Sequence, residues 1–343
     1  MAQNKSWIKY LVSTIKIAAS VCILYWLYSH ASKEKGFSDL ISNPKLWHWL
    51  FVGFTLCFLA HLISYIRWGI LVRALGIEFS TNDATRIGFI GLFFGLFAFG
   101  VVGGDSLRIY YAARQEKNRL ADIFCSVFID RALGMLAMFT FATIGYAWVG
   151  VDYVSADPEK LRNVQLVCKI IAAATLVGWI IIAVYFFTPG LADNRLIKWL
   201  KQLPKVGAIF GQLMDSALLY REKISVVLTI IGLSVLVNLC FVGAVFFLAM
   251  GLGVVHPPFA KHFVIAPISM AANAIPLPGG IGGMESMLAF FYAALSSTDE
   301  IGPGFVVAIG FRIMLLILAA IGSIAWFANR AQISSLGRDS KTP

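Results

Sequence analysis

Charge is scarce in this chain. Only 13% of its 343 residues are Asp, Glu, Lys or Arg, whereas 59% are hydrophobic. A soluble protein of this size could not bury that much apolar surface, so its solvent must be lipid. The apolar runs are long and continuous, and about 20 residues are enough for a helix to cross a bilayer. Barrel strands are shorter and alternate in polarity, so the sequence predicts an all-α polytopic membrane protein.

Common catalytic and metal-binding signatures are also missing. The sequence contains no CxxC pair, no HExxH spacing, no Walker A loop and no GxSxG nucleophile. We therefore predict no catalytic residues, no cofactor and no metal site, and we do not predict an enzyme. The basic residues are distributed by membrane side and are not clustered with exposed aromatics. No nucleic-acid partner is expected on that ground.

Six apolar segments are long enough to span a membrane. They lie near 10–28, 46–72, 123–149, 166–187, 224–252 and 305–327. Two further segments, 83–119 and 258–297, contain glycine-rich breaks and predict re-entrant helical hairpins. The chain then divides into a first membrane repeat 1–150, a second membrane repeat 151–329 and a flexible cytoplasmic tail 330–343. Each repeat has three spans and one hairpin, and because three is odd, the second is predicted to be inverted.

The placement of basic residues predicts how the chain is oriented in the membrane. Lys and Arg are concentrated before the first span, between the second and third, between the fourth and fifth, and after the sixth. The positive-inside rule therefore places both termini on the cytoplasmic side of a cell inner membrane. On the same side, the insertion 191–222 combines leucines with basic residues, which predicts an amphipathic helix. Its stretch 195–205 is expected to bind anionic inner-leaflet lipids, and a loop helix that caps the bundle is the alternative.

The two glycine-rich breaks share one pattern. Each has a Gly-Gly pair followed by a carboxylate, a serine and a large apolar residue, with Asp105 in the first break and Glu285 in the second. Arg131 and Arg312 follow at nearly the same spacing, each inside the next apolar span. Broken hydrophobic segments at matching places in two halves are typical of transporters whose site lies between internal repeats.

The charges within these segments define a candidate site, because a charge at the centre of a membrane helix costs about 2.5–3.5 kcal/mol. Glycine N–H groups at a helix start and guanidinium groups can both bind a phosphate. We assign substrate binding to Arg108, Arg131, Arg312, Gly103, Gly104, Gly279, Gly280 and Gly282, and charge balance or proton coupling to Asp105, Asp130 and Glu285. Purely structural pairing of these groups is the alternative. Arg67 is expected to snorkel from its span to the interface.

Three segments of the chain resemble a known family. Residues 103–110 (GGDSLRIY), 130–134 (DRALG) and 276–285 (PLPGGIGGME) are similar to motifs of the flippase-like transmembrane domain of lysylphosphatidylglycerol synthases. The family's usual Glu-Arg pair is replaced by Asp130-Arg131. The resemblance implies translocation of a lipid by a stand-alone member. Lipid aminoacylation is not implied, because the 343 residues contain no aminoacyl-transferase domain.

Together these patterns predict a membrane lipid transporter, or flippase, whose substrate is a polar- or phosphate-headed lipid. The alternative is an accessory membrane protein or enzyme in envelope glycolipid or lipid modification. An enzyme should carry a catalytic constellation that faces one aqueous side, and the sequence shows none. Self-association into a homo-oligomer is left open.

The orientation can be tested by labelling single cysteines on a Cys-less background. Positions near Lys201 should react only from the cytoplasm, and positions near Asp157 only from the outside. The reverse result at either position would overturn the six-span scheme.

Overall fold

The computed structural model describes residues 44–96, 100–115, 119–150, 158–188, 218–274, 282–296 and 300–328, with residues 199, 201, 207 and 211. Nine α-helices of at least ten residues lie in these ranges. They are α1 (Trp47–Ala74), α2 (Thr81–Phe94), α3 (Gly100–Gln115), α4 (Leu120–Val149), α5 (Pro158–Phe187), α6 (Ile224–Leu252), α7 (His262–Ala271), α8 (Gly283–Leu295) and α9 (Gly302–Ala328). The described part of the chain contains no β-strand, so the all-α class is confirmed.

Five of these helices are long and apolar enough to cross a membrane: α1, α4, α5, α6 and, over Gly302–Gly322, α9. They match five of the six predicted spans and make the protein a multi-pass membrane protein. The predicted first span, the tail 330–343 and most of the insertion 191–222 lie outside the described residues. The fourth span starts earlier than its apolar run predicts, because Pro158 and Glu159 supply the proline and the acidic first turn that favour a helix start.

The two segments with glycine-rich breaks each contain a pair of shorter helices, α2 with α3 and α7 with α8. Ser80 begins α2, since its Oγ accepts the Asp83 N–H at 2.9 Å. Gly282 begins α8 with a φ of 110°, a conformation that favours glycine. None of the four helices exceeds 16 residues, which is short of the length needed to cross a bilayer alone.

The first glycine pair does not interrupt a helix, so the break predicted at this position is wrong. Gly103 and Gly104 lie inside α3. Gly104 packs so closely on α2 that a Cβ added to it would lie 2.4 Å from the carbonyl oxygen of Gly91. The need for close helix packing therefore explains this glycine. Gly279 and Gly280 of the second break lie outside the described residues.

Helices from the first half of the chain pack against helices from the second half. The most extensive pair is α1 with α6, and Gly53 lets these two backbones approach closely. Helix α2 packs on α9, whereas α7 packs on α4. The largest core cluster joins these elements around fully buried side chains such as Phe291, Tyr292 and Phe311.

The C-terminal end of α1 is held by side chains from later segments. The Tyr220 hydroxyl donates to the Leu71 carbonyl at 2.9 Å, and Lys223 Nζ donates to the Ala74 carbonyl at 2.7 Å. Arg119 donates to the next carbonyl, that of Leu75. These donors satisfy carbonyls that the helix end leaves unpaired, and the two cations complement its dipole. Burial raises the pKa of the Tyr220 hydroxyl, so this group stays protonated and can donate.

Replacement of Tyr220 by Phe should therefore destabilise the fold by about 1 kcal/mol, because the Leu71 carbonyl loses its donor. Thermal unfolding in detergent measures the loss. Tyr110→Phe is the matched control, since Tyr110 is 49% exposed. Equal stability of the two variants would contradict the anchoring role of Tyr220.

Candidate functional site

Seven of the nine helices enclose a cavity of about 240 Å³; α5 and α8 contribute no lining residue. Its charged lining consists of Arg67, Arg108, Arg131, Arg312, Asp105 and Asp130. The apolar lining includes Leu92, Leu96, Met135, Met138, Phe241, Met270, Phe311 and Leu315. Most of the charged residues that the sequence selects, from both halves of the chain, thus meet in one place. Glu285 does not line the cavity, but it contacts the lining residue Arg312.

In the first half, Asp105 of α3 binds Arg131 of α4 through two parallel hydrogen bonds. Arg131 donates from Nε at 2.8 Å and from Nη2 at 2.6 Å to the two carboxylate oxygens. Such a bidentate pair fixes both distance and orientation. The Arg131 side chain nevertheless remains 45% exposed. The pair is therefore open to the cavity.

In the second half, Glu285 of α8 binds Arg312 of α9. Arg312 donates to Glu285 Oε1 from Nε at 2.9 Å and also from Nη2. The other carboxylate oxygen accepts the Gly282 N–H at 2.8 Å and so caps the start of α8. The Glu285 side chain is only 2% exposed. This pair repeats the arrangement of Asp105 and Arg131, but here only the arginine lines the cavity, because Glu285 is buried behind Arg312.

A third charged cluster joins three spanning helices. Arg67 of α1 donates to the Asp130 carboxylate at 2.8 Å, to the Asp130 carbonyl at 3.2 Å and to Ser234 Oγ of α6 at 2.8 Å. Arg67 and Asp130 are 4% and 2% exposed. The expectation that Arg67 snorkels to the interface is wrong, because a buried carboxylate and a hydroxyl hold it within the bundle. The carboxylate of Asp130 therefore serves as the buried ion-pair partner of Arg67.

Arg108 of α3 is the most lightly paired of the buried arginines that line the cavity. Its Nη1 lies 3.5 Å from Asp105, and its guanidinium lies over the Tyr65 ring at 4.8 Å and over the Trp68 ring at 5.8 Å. Cation–π contacts of this kind favour a desolvated guanidinium. The Nε atom of Arg108 and the hydroxyl of Tyr65 have no hydrogen-bond partner within the described residues. Both groups are buried and can donate.

Among the described residues, the site carries one more cation than anion. Four guanidinium groups stand against the carboxylates of Asp105, Asp130 and Glu285. In an apolar surrounding such an excess favours an anionic ligand. Within the described ranges, no three His, Cys, Asp or Glu side chains come together as metal ligands would.

Sequence reasoning missed several lining residues. Tyr65, Ser64 and His61 lie on one stretch of α1, and Asn238 lies on α6. Ser234 is the missed partner of Arg67. Polar residues spaced by one helical turn within an apolar span, as Ser234 and Asn238 are, give the signal that could have found them.

The fold and the site define an all-helical multi-pass membrane protein with a charged cavity inside its helix bundle. The chain belongs to the family described as "Lysylphosphatidylglycerol synthase TM region", which matches residues 13–322. It is also similar to a UPF0104 membrane protein of Methanocaldococcus jannaschii, with 26% identity over 143 residues. That match covers 40% of this chain and 42% of the relative, so it spans less than half of either protein. The family membership confirms the resemblance that the three motif segments carry.

The ion pairs should differ in their contribution to stability. Arg67→Gln leaves Asp130 buried without its charge partner and should cost about 3–5 kcal/mol. Arg131→Gln should cost much less, because Arg131 is half exposed and Asp105 keeps its contact with Arg108. Unfolding of both purified variants in one detergent gives the ranking, and the opposite order would contradict the assigned burial.

Proposed function

We propose that the protein is a lipid transporter, or flippase, which moves a polar- or phosphate-headed lipid between the leaflets of the cell inner membrane. The observation that carries the proposal is the cavity, whose wall is charged on one part and apolar on the rest. A lipid crossing the bilayer needs polar partners for its head group and apolar surroundings for its chains. The family's relation to a lipid synthase agrees with a lipid substrate.

The apolar wall suits a flexible hydrocarbon chain. Met135, Met138 and Met270 line it together with leucine and phenylalanine side chains. Methionine side chains are unbranched and polarizable, and they adapt to ligands of variable shape. The substrate we propose is therefore an amphiphile, with its head group at the arginines and part of its chain against the methionines.

An inverted-topology repeat would supply the alternating cavity. In chain order, α1 to α4 correspond to α6 to α9, and α2 packs on α9 as α7 packs on α4. The pairs Asp105–Arg131 and Glu285–Arg312 also correspond. We propose that the two segments with short helices are re-entrant hairpins and that each half moves against the other around the site.

The charges at one end of the bundle support an orientation in the membrane. Arg119 and Lys223 gather at the C-terminal end of α1, next to Arg73. A cluster of basic residues at one membrane face is typical of the cytoplasmic side. We therefore propose that this end and both termini are cytoplasmic and that 195–205 contacts anionic lipid. We propose transport and not catalysis, since the charged side chains that line the cavity form ion pairs.

Lipid flipping in proteoliposomes tests the proposal. Wild-type protein should accelerate the movement of a phosphate-headed reporter lipid, and Arg131→Gln should slow it about tenfold, because a charged hydrogen bond to the head group is lost. Arg162→Gln is the matched control, since Arg162 is exposed on α5 and outside the cavity.

The double variant Asp105→Asn with Arg131→Gln separates binding from stability. If these residues bind the head group, the double variant stays folded and inactive. If they only pair with each other, it regains both fold and transport, and the binding role is wrong. No acceleration by the wild-type protein with any head group would contradict transport itself.

A further inference from the structure

Two buried hydrogen-bond donors at the cavity have no acceptor in the part of the chain that the structure describes. The hydroxyl of Tyr65 and Nε of Arg108 have no partner within the described residues, and the two residues are 2% and 6% exposed. Leaving a buried donor unsatisfied costs about 1–3 kcal/mol, and more for a charged group. Both residues line the cavity, so an acceptor that reached these two atoms from the cavity would recover that cost.

The two donors are held in place by the helix that packs on them. Glycines of α2 make room for both side chains: a Cβ at Gly88 would lie 2.3 Å from the Tyr65 ring, and a Cβ at Gly91 would lie 3.1 Å from Nε of Arg108. The guanidinium is also stacked on Tyr65 at 4.8 Å. A site whose donors are fixed before the ligand arrives loses little entropy on binding.

Arg131 completes the set of donors. Its Nε and Nη2 are engaged by Asp105, while its side chain is 45% exposed beside the cavity. The corresponding Arg312 is engaged by Glu285, which is 2% exposed. Both halves of the chain thus contain an arginine–carboxylate pair, but the more exposed arginine belongs to the first half.

We propose that Tyr65, Arg108 and Arg131 form an oxyanion subsite for the phosphodiester of a lipid head group with one net negative charge. This inference rests on the proposed lipid substrate, and it adds that the head group of that lipid carries one net negative charge. Phosphate oxygens accept hydrogen bonds from both orphan donors. One negative charge balances the surplus guanidinium group, whereas a net cationic aminoacyl head group would add to the surplus.

The test uses the full-length protein, delipidated in a neutral detergent, with thermal unfolding as the readout of binding. The probes are phosphatidylglycerol, phosphatidylcholine, a phosphate-free trimethylammonium lipid and inorganic phosphate. Phosphatidylglycerol should stabilise the wild-type protein most and the cationic lipid least. Equal stabilisation by the cationic lipid and phosphatidylglycerol would contradict the preference for a negatively charged head group.

Tyr65→Phe separates binding from folding. Because the hydroxyl has no hydrogen-bond partner among the described residues, the lipid-free variant should unfold at the same temperature as the wild type or at a higher one. Its affinity for phosphatidylglycerol should fall about tenfold through loss of one hydrogen bond to a charged group. Tyr110→Phe, on the exposed face of α3, should leave the affinity unchanged.

Arg108→Lys provides a second variant that keeps the charge but removes Nε and the planar stack. It should also bind phosphatidylglycerol more weakly. Wild-type affinity in both variants would overturn the subsite. If no lipid stabilises the wild type but inorganic phosphate does so in a Tyr65-dependent manner, the lipid substrate is wrong and the oxyanion subsite stands. If neither lipid nor phosphate stabilises it, the subsite is wrong.

Discussion

The pairing of charges inside an apolar bundle is the constraint on which this structure depends. A lone guanidinium or carboxylate is costly in a membrane, so each one fixes the helix that carries its partner. The pair Asp105–Arg131 joins α3 to α4, and Glu285–Arg312 joins α8 to α9. Arg67 joins α1 to α4 and α6. The same contacts that hold the bundle together therefore also place its charges around one cavity.

The equivalent pairs have different surroundings, and this difference suggests how the work is divided. Glu285 also accepts the N–H of Gly282 and is closed to the cavity, so the second pair chiefly fixes the start of α8. Arg131 is half exposed, and Arg108 stands beside it with an unused donor. The lipid that we propose as substrate would find more exposed donors in the first half of the site than in the second. Movement of one half against the other would then transfer the ligand between two unlike surroundings.

The sequence predicts the five described spans and the repeated carboxylate–arginine spacing, because length, hydropathy and charge are properties of the chain itself. It does not predict which face of a span is buried, since apolar residues surround each helix on all sides. The sequence therefore places Arg67 wrongly and gives no signal for Tyr65. The glycine pair at Gly103 was misread for a related reason: a glycine that permits a turn and a glycine that permits close packing look alike until the neighbouring helix is known.

The most direct measurement is the contact between a cavity guanidinium and a lipid phosphorus atom. Protein with ¹³C at the arginine Cζ atoms, in vesicles whose bulk lipid contains no phosphorus, would receive one phosphatidylglycerol per chain. Solid-state NMR would then report dipolar coupling between ¹³C and ³¹P. If these arginines bind the lipid phosphate, coupling is observed in the wild type and disappears in the double variant Arg108→Lys with Arg131→Gln. Coupling that persists unchanged in that variant, or no coupling in the wild type, would contradict this binding.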